Sequence, residues 1–116
     1  MKSKDAVLAL AALAQPTRLA IYRMLVEAGP GGMAAGQIAE RLGLAPATLS
    51  FHVGQLARAG LAVARPEGRY ILYSADFARM NRLVGFLTDN CCGGEPCAPV
   101  AMPVVLKSPS RRRVSQ

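Results

Sequence analysis

The chain has 116 residues, 52% of them hydrophobic, with 14 basic against 7 acidic side chains, a net charge of +7 and a pI near 10.0. That length suits one domain with a modest core, the apolar share excludes a wholly disordered chain, and the positive surplus suits an anionic partner. No apolar run approaches the roughly 20 residues that cross a bilayer, and three cysteines confined to residues 91–97 are odd in number and too close together for a secreted disulfide framework.

The charge divides unevenly: residues 1–75 carry a net +4, residues 76–90 balance, and residues 91–116 carry a net +3. The Ala/Leu run over 6–14 passes into Gln15-Pro16 without a cleavage site of the signal-peptide type, so a cytoplasmic protein with reduced thiols is expected. Residues 5–14 read as a helix in which Val7, Leu8, Leu10, Ala11 and Leu13 leave little polar face. Such a helix needs cover on more than one side, from a partner subunit or from burial within the monomer; in so small a chain the partner is the expected cover. Gln15-Pro16 breaks this helix, and Pro16 suits the first turn of the next. The apolar stripe of that second helix is Leu19, Tyr22, Leu25 and Val26, with Thr17, Arg18 and Arg23 off it, and Gly29-Pro30-Gly31-Gly32 ends it.

Ala35, Ile38, Ala39 and Leu42 form another helical stripe, closed by Gly43. Leu49, Val53 and Leu56 repeat the spacing in a helix over 46–58, whose opposite face carries Ala47, Thr48, Phe51, Gly54, Gln55 and Arg58. Two short amphipathic helices across a Gly-containing turn describe a helix-turn-helix or an ordinary helical hairpin. After Gly60 the pattern becomes extended. Leu61–Arg65, the turn Pro66-Glu67-Gly68 and Arg69–Ser74 describe a β-hairpin with Arg65 and Arg69 flanking its tip, either a DNA-contacting wing or a small edge sheet with solvated arginines. Asp76 suits the N-cap of a last helix with the stripe Phe77, Met80, Leu83, Val84 and Leu87. Residues 98–116, rich in Pro, Ser and Arg, have the composition of a disordered tail, and Arg111-Arg112-Arg113 reads as a solvated basic run. The expected organisation is thus a folded domain over 1–90 and a Cys-bearing segment with a basic tail over 91–116.

Taken in order, Leu13-Ala14-Gln15-Pro16-Thr17-Arg18-Leu19, Ile38 to Leu44, Leu49-Ser50-Phe51-His52-Val53-Gly54-Gln55-Leu56, Ala59-Gly60-Leu61-Ala62 and Gly68-Arg69-Tyr70 resemble the ArsR/SmtB family of bacterial metalloregulators over about residues 5–90. The resemblance implies a mainly α winged helix-turn-helix with a small β-hairpin, homodimeric through its first and last helices, acting as a repressor that leaves operator DNA when a metal or metalloid ion binds. It implies no enzyme and no permanent cofactor. On that reading the dimer seam takes Val7, Leu8, Leu10 and Leu13 from the first helix and Met80, Leu83, Val84 and Leu87 from the last.

Two of the family's ligand sets are missing here. The region before the reading helix, Ala34 to Ala39, lacks the Cys-x-Cys of the founding arsenic sensors, and the last helix offers Asp76 but no histidine for a zinc site. What remains is Cys91, Cys92 and Cys97, which is similar to the arrangement in arsenite repressors whose thiols follow the dimer helix. Three soft thiolates suit three-coordinate As(III), with Sb(III) as a chemical analogue; Zn(II), thiol oxidation at the same cysteines and a metalloid carrier are the alternatives.

The expected DNA contacts are Ala47, Thr48, Ser50, Phe51, His52, Gln55, Arg58, Arg65 and Arg69. Thr48, Ser50 and Gln55 supply hydrogen bonds to bases or phosphates, and the three arginines supply phosphate contacts. Phe51 is read either as a thymine-methyl contact or as packing on the preceding helix. The single histidine, His52, is read as a packing or phosphate-contacting residue rather than an ion ligand. Ala45 is a poor cap for the reading helix.

Overall fold

The computed structural model describes residues 1–94, in the order α1 (Ser3–Leu13), α2 (Pro16–Ala28), β1 (Met33–Ala34), α3 (Ala35–Leu42), α4 (Pro46–Arg58), β2 (Ala62–Glu67), β3 (Tyr70–Ala75) and α5 (Phe77–Leu87), followed by a 3-10 turn at Cys91–Gly94. The fold is the expected one, mainly helical with a small antiparallel sheet. Among the described residues no helix is long and apolar enough to cross a membrane.

Alanines line the inward face of α1. Ala6, Ala9 and Ala12 are buried while Val7, Leu8 and Leu10 point outward, so small side chains let the helix lie close on the domain and its bulky ones remain uncovered. Leu13, expected in the seam, is half-buried against the monomer core. Helix α2 starts on a side-chain cap, Gln15 Oε1 accepting from the Arg18 N–H at 2.8 Å, with Pro16 in the first turn. Its inward stripe is Ile21, Tyr22 and Leu25; Leu19 and Val26, expected there, are exposed. The spacing of Leu19 and Ile21 does not by itself say which faces in, and the packing of α1 and α4 on α2 decides it.

Gly43 closes α3 with a left-handed φ of 65°, and the Leu44 N–H donates back to the Ala39 carbonyl at 2.9 Å. Ile38 and Ala39 of α3 then meet Leu49, Val53 and Leu56 of α4 in the core. The sheet has the order β1-β3-β2, antiparallel throughout. Strand β1 is an addition to the expected hairpin: Met33 pairs with Tyr73 and Ala34 with Leu72. Gly32 makes this pairing possible, since with φ +78° its backbone lies so close to the Tyr73 carbonyl that any Cβ would collide with it. The hairpin turn is also corrected. Pro66 and Glu67 belong to β2, opposite Ile71 and Tyr70, and the turn is Gly68-Arg69 with φ +62° at Gly68. β2 is an edge strand, where proline is tolerated.

Asp76 caps α5 as expected, its Oδ1 accepting from the Arg79 N–H at 3.0 Å. Leu83, assigned to the dimer seam from sequence, is 2% exposed and belongs to the monomer core, and Met80 is half-buried beside it. Four residues of the α5 stripe, Met80, Leu83, Val84 and Leu87, were expected in the seam, but the inner side of α5 must first pack on its own domain. Phe86, absent from that stripe, packs inward as well, leaving Val84 and Leu87 outward.

Two buried polar atoms, Arg79 Nε and the Tyr22 hydroxyl, have no hydrogen-bond partner among the described residues. Burial, and secondarily the Asp76 carboxylate, raise the Tyr22 pKa above the usual phenol value. Ionisation of Tyr22 therefore opposes folding, and its contribution to stability holds below pH ~10 and is lost as the pH rises beyond that. Tyr22→Phe is expected to raise the unfolding free energy by about 1 kcal/mol and to blunt the loss of stability above pH ~10, as read by denaturant melts across that range.

Candidate nucleic-acid interface and thiol turn

Burial of Leu49, Val53 and Leu56 fixes the roll of α4, and the rest of the helix follows from it. Ala47, Thr48, Ser50, Phe51 and Arg58 are exposed; His52, Gly54 and Gln55 are half-buried. Phe51 is 57% exposed, so it does not pack against the preceding helix; its ring instead meets that of His52 edge-on, with centroids 5.3 Å apart. No side chain caps α4: Ala45 cannot, and Pro46 follows it in the first turn. The first-turn N–H groups thus face solvent at the positive end of the helix dipole, a favourable place for a phosphate. A Cβ at Gly54 would meet only the end of Arg58, at 3.9 Å, so this glycine leaves the outer face low without being required by the core.

The wing arginines separate in role. Arg69 lies in the turn itself, exposed and without an ion pair among the described residues. Arg65 lies within β2, where Nε meets Glu67 Oε2 at 3.3 Å and Nη2 donates to the Gly31 carbonyl at 3.4 Å. It therefore ties the wing to the loop before β1, and contact with a phosphate requires release from Glu67, which an exposed pair gives up at little cost.

Sequence reasoning missed Arg18. Its Nε donates to the Ala12 carbonyl at 2.6 Å and Nη1 lies 3.4 Å from His52 Nδ1, so it bridges α1 to α4 from the start of α2. A lone arginine in the first turn of a largely apolar helix was the available signal.

Of the three cysteines, Cys91 and Cys92 occupy the 3-10 turn beyond α5 with their Sγ atoms 3.8 Å apart. Asn90 and Cys92 hold positive φ of 58° and 56°, and Gly93 and Gly94 continue the tight turn. Cys97 lies outside the described residues. Among those residues no three His, Cys, Asp or Glu side chains gather into an ion site.

Residues 13–65 match the helix-turn-helix domain family HTH_20. The nodulation protein NolR of Rhizobium meliloti is 34% identical over 110 residues, 92% of this chain and 87% of that protein. An ArsR-like transcriptional regulator from Rhodococcus sp. RHA1 superposes with a TM-score of 0.68 at 26% identity, covering 78% of this chain and 83% of the other. The homodimeric winged helix-turn-helix DNA-binding domain of Mb0332 from Mycobacterium bovis, described as a possible ArsR-family regulator, does so at 0.59 and 29% identity, covering 79% and 85%. The chain belongs to the ArsR/SmtB family.

With the expected DNA contacts on α4 and the wing, the two wing arginines of this ArsR/SmtB regulator predict different behaviour. Arg69→Ala is expected to weaken binding to promoter DNA and to reduce the slope of log K against log salt by about 0.9, the value of one phosphate contact. Glu67→Gln, which frees Arg65 and removes a like charge from the phosphate side, is expected to tighten binding. Fluorescence anisotropy over a salt series checks both.

Proposed function

We propose that this ArsR/SmtB regulator is a homodimeric repressor of a metalloid-resistance operon, released from its operator when As(III) is taken up by Cys91, Cys92 and Cys97. Sb(III), with the same preference for thiolates, is the second inducer of this class. The observation that carries the reading is the 3.8 Å separation of the Cys91 and Cys92 sulfurs. Thiolates about 2.3 Å from a tetrahedral zinc lie about 3.8 Å apart, so the pair is spaced for one shared thiophilic ion, and the choice of As(III) rests on a third thiolate without a fourth donor. The turn that carries them follows α5 directly, and Gly93-Gly94 gives the chain freedom to bring Cys97 back as the third donor.

The exposed apolar residues support the dimer. Val7, Leu8 and Leu10 on α1 and Val84 and Leu87 on α5 remain uncovered in the monomer, and α1 and α5 pack on one another. A two-fold axis through this face pairs two copies of α4 for successive major grooves, with the wings along the flanking phosphates. Drawing three sulfurs together at the end of α5 reshapes the seam and so the spacing of the two reading helices. By linkage, operator DNA must then weaken ion binding by the same factor.

The same sulfur pair also supports a second reading, in which Zn(II) or oxidation of adjacent thiols is the signal. Anisotropy on promoter DNA under reducing conditions, with arsenite, antimonite or zinc titrated, separates the readings. Arsenite is expected to release the operator from the wild type, while Cys91→Ser, Cys92→Ser and Cys97→Ser keep basal DNA binding and lose the response. Binding indifferent to arsenite and antimonite would overturn the metalloid reading, and release by zinc or by a mild oxidant would establish the second.

A further inference from the structure

We infer that Arg18 is a positioning residue for DNA recognition, acting through His52, and that protonation of His52 releases it. The inference rests on α4 being the DNA-contacting helix and adds a residue from outside the helix-turn-helix. The Arg18 side chain reaches three groups on two other helices: Nε donates to the Ala12 carbonyl at 2.6 Å, Nη2 to the Ala11 carbonyl at 3.5 Å, and Nη1 lies 3.4 Å from His52 Nδ1. Ala11 and Ala12 belong to the last turn of α1, where a cation suits the dipole; the Ala11 carbonyl also accepts from the Ala14 N–H at 3.2 Å. The guanidinium is thereby anchored on α1, and its remaining arm holds the imidazole in the middle of α4. His52 in turn lies edge-on to Phe51, the most exposed large apolar side chain of the reading face.

A guanidinium offers only donors, so this contact is a hydrogen bond in the tautomer that leaves Nδ1 as acceptor and carries the ring hydrogen on Nε2. Protonating the ring places an N–H against another N–H and two positive charges in contact, and the strut lets go. His52 is the one histidine of the chain.

Of the other charged groups on α4 and the elements around it, Arg58 alone shares a cleft with Arg18 among the described residues. Arg23 and Glu27 of α2 pair with each other at 3.7 Å in solvent. Lys4 and Asp5 lie at the opposite end of α1, Glu40 and Arg41 of α3 are exposed, and Arg65 of β2 is held by Glu67. Arg58 of α4 itself is exposed, six residues on from His52, and lines that cleft with Arg18 and Gln55.

The sign of the pH effect separates this role from the direct one. A histidine that contacts phosphate binds DNA more tightly in acid; one held by Arg18 binds more weakly. The test is anisotropy on promoter DNA at constant salt, between about pH 7.2 and about pH 5.5, a range in which carboxylates and thiols keep their ordinary charge. Wild-type affinity is expected to fall about fivefold on acidification, the weight of one hydrogen bond. His52→Asn, which keeps an acceptor near the Nδ1 position, is expected to show no acid loss relative to its own affinity at neutral pH. Arg18→Met is expected to weaken neutral binding and flatten the pH profile.

Nitrogen NMR of the imidazole in the unaltered protein supplies a readout free of folding effects, with an Nε2–H tautomer expected. A rise in affinity on acidification, a flat wild-type profile, or an Nδ1–H tautomer would overturn the inference. Failure of the wild type to bind promoter DNA at neutral pH would instead count against the DNA-binding assignment of α4, so the two failures are distinct.

Discussion

The structure depends on the burial of one short stripe. Leu49, Val53 and Leu56 are each at most 3% exposed, pressed among Ile21 and Leu25 of α2 and Ile38 of α3. Side chains of this kind each contribute about 1.5–3 kcal/mol when taken from water, so three in register outweigh any surface preference of the same helix. Rolling α4 by one residue, about 100°, would bury polar groups and expose the stripe. The outward position of Thr48, Phe51 and Arg58 is therefore a by-product of the core, and α2, α3 and β2 hold that roll from several directions.

The helices were legible because each announces itself by period and by its ends. Gln15-Pro16, Gly43, Pro46 and Asp76 all do in the structure what their chemistry suggests. What stayed hidden depends on neighbours distant in sequence. A two-residue strand such as Met33-Ala34 has no period to detect, and it exists because β3 offers an edge and Gly32 permits the approach. Pro66 looked like a turn residue because the chain does not say which strand will be an edge. Leu83 and Val84 are equally apolar, and the packing of α5 on its own domain sends one inward and leaves the other in solvent. Among the site residues the reading face of α4 was legible from its period, whereas the tether of Arg65 and the bridge made by Arg18 span 34 positions each and leave no local trace.

Small and large residues divide the work of α1. Its alanines give close approach to the domain with little side-chain entropy to lose, and its valine and leucines supply the apolar area on the far side. One helix thereby serves two packing surfaces without the polar face a surface helix usually keeps. Because Arg18 is anchored on the last carbonyls of this same helix, the outer surface of the molecule and its reading helix share a mechanical link that bypasses the hydrophobic core.

The Gly29–Gly32 connection looks like a dispensable surface loop, rich in glycine and facing solvent at Pro30 and Gly31. It is nonetheless clamped at both ends of its span. The Gly31 carbonyl receives Arg65 from the wing, and Gly32 nests against the Tyr73 backbone. Lengthening it would unseat β1 and loosen the hairpin at once, so for an engineer this is the wrong place to graft a reporter or split the chain. The Gly68-Arg69 turn, with open space around its glycine, accommodates added bulk, though beside Arg69, an expected phosphate contact.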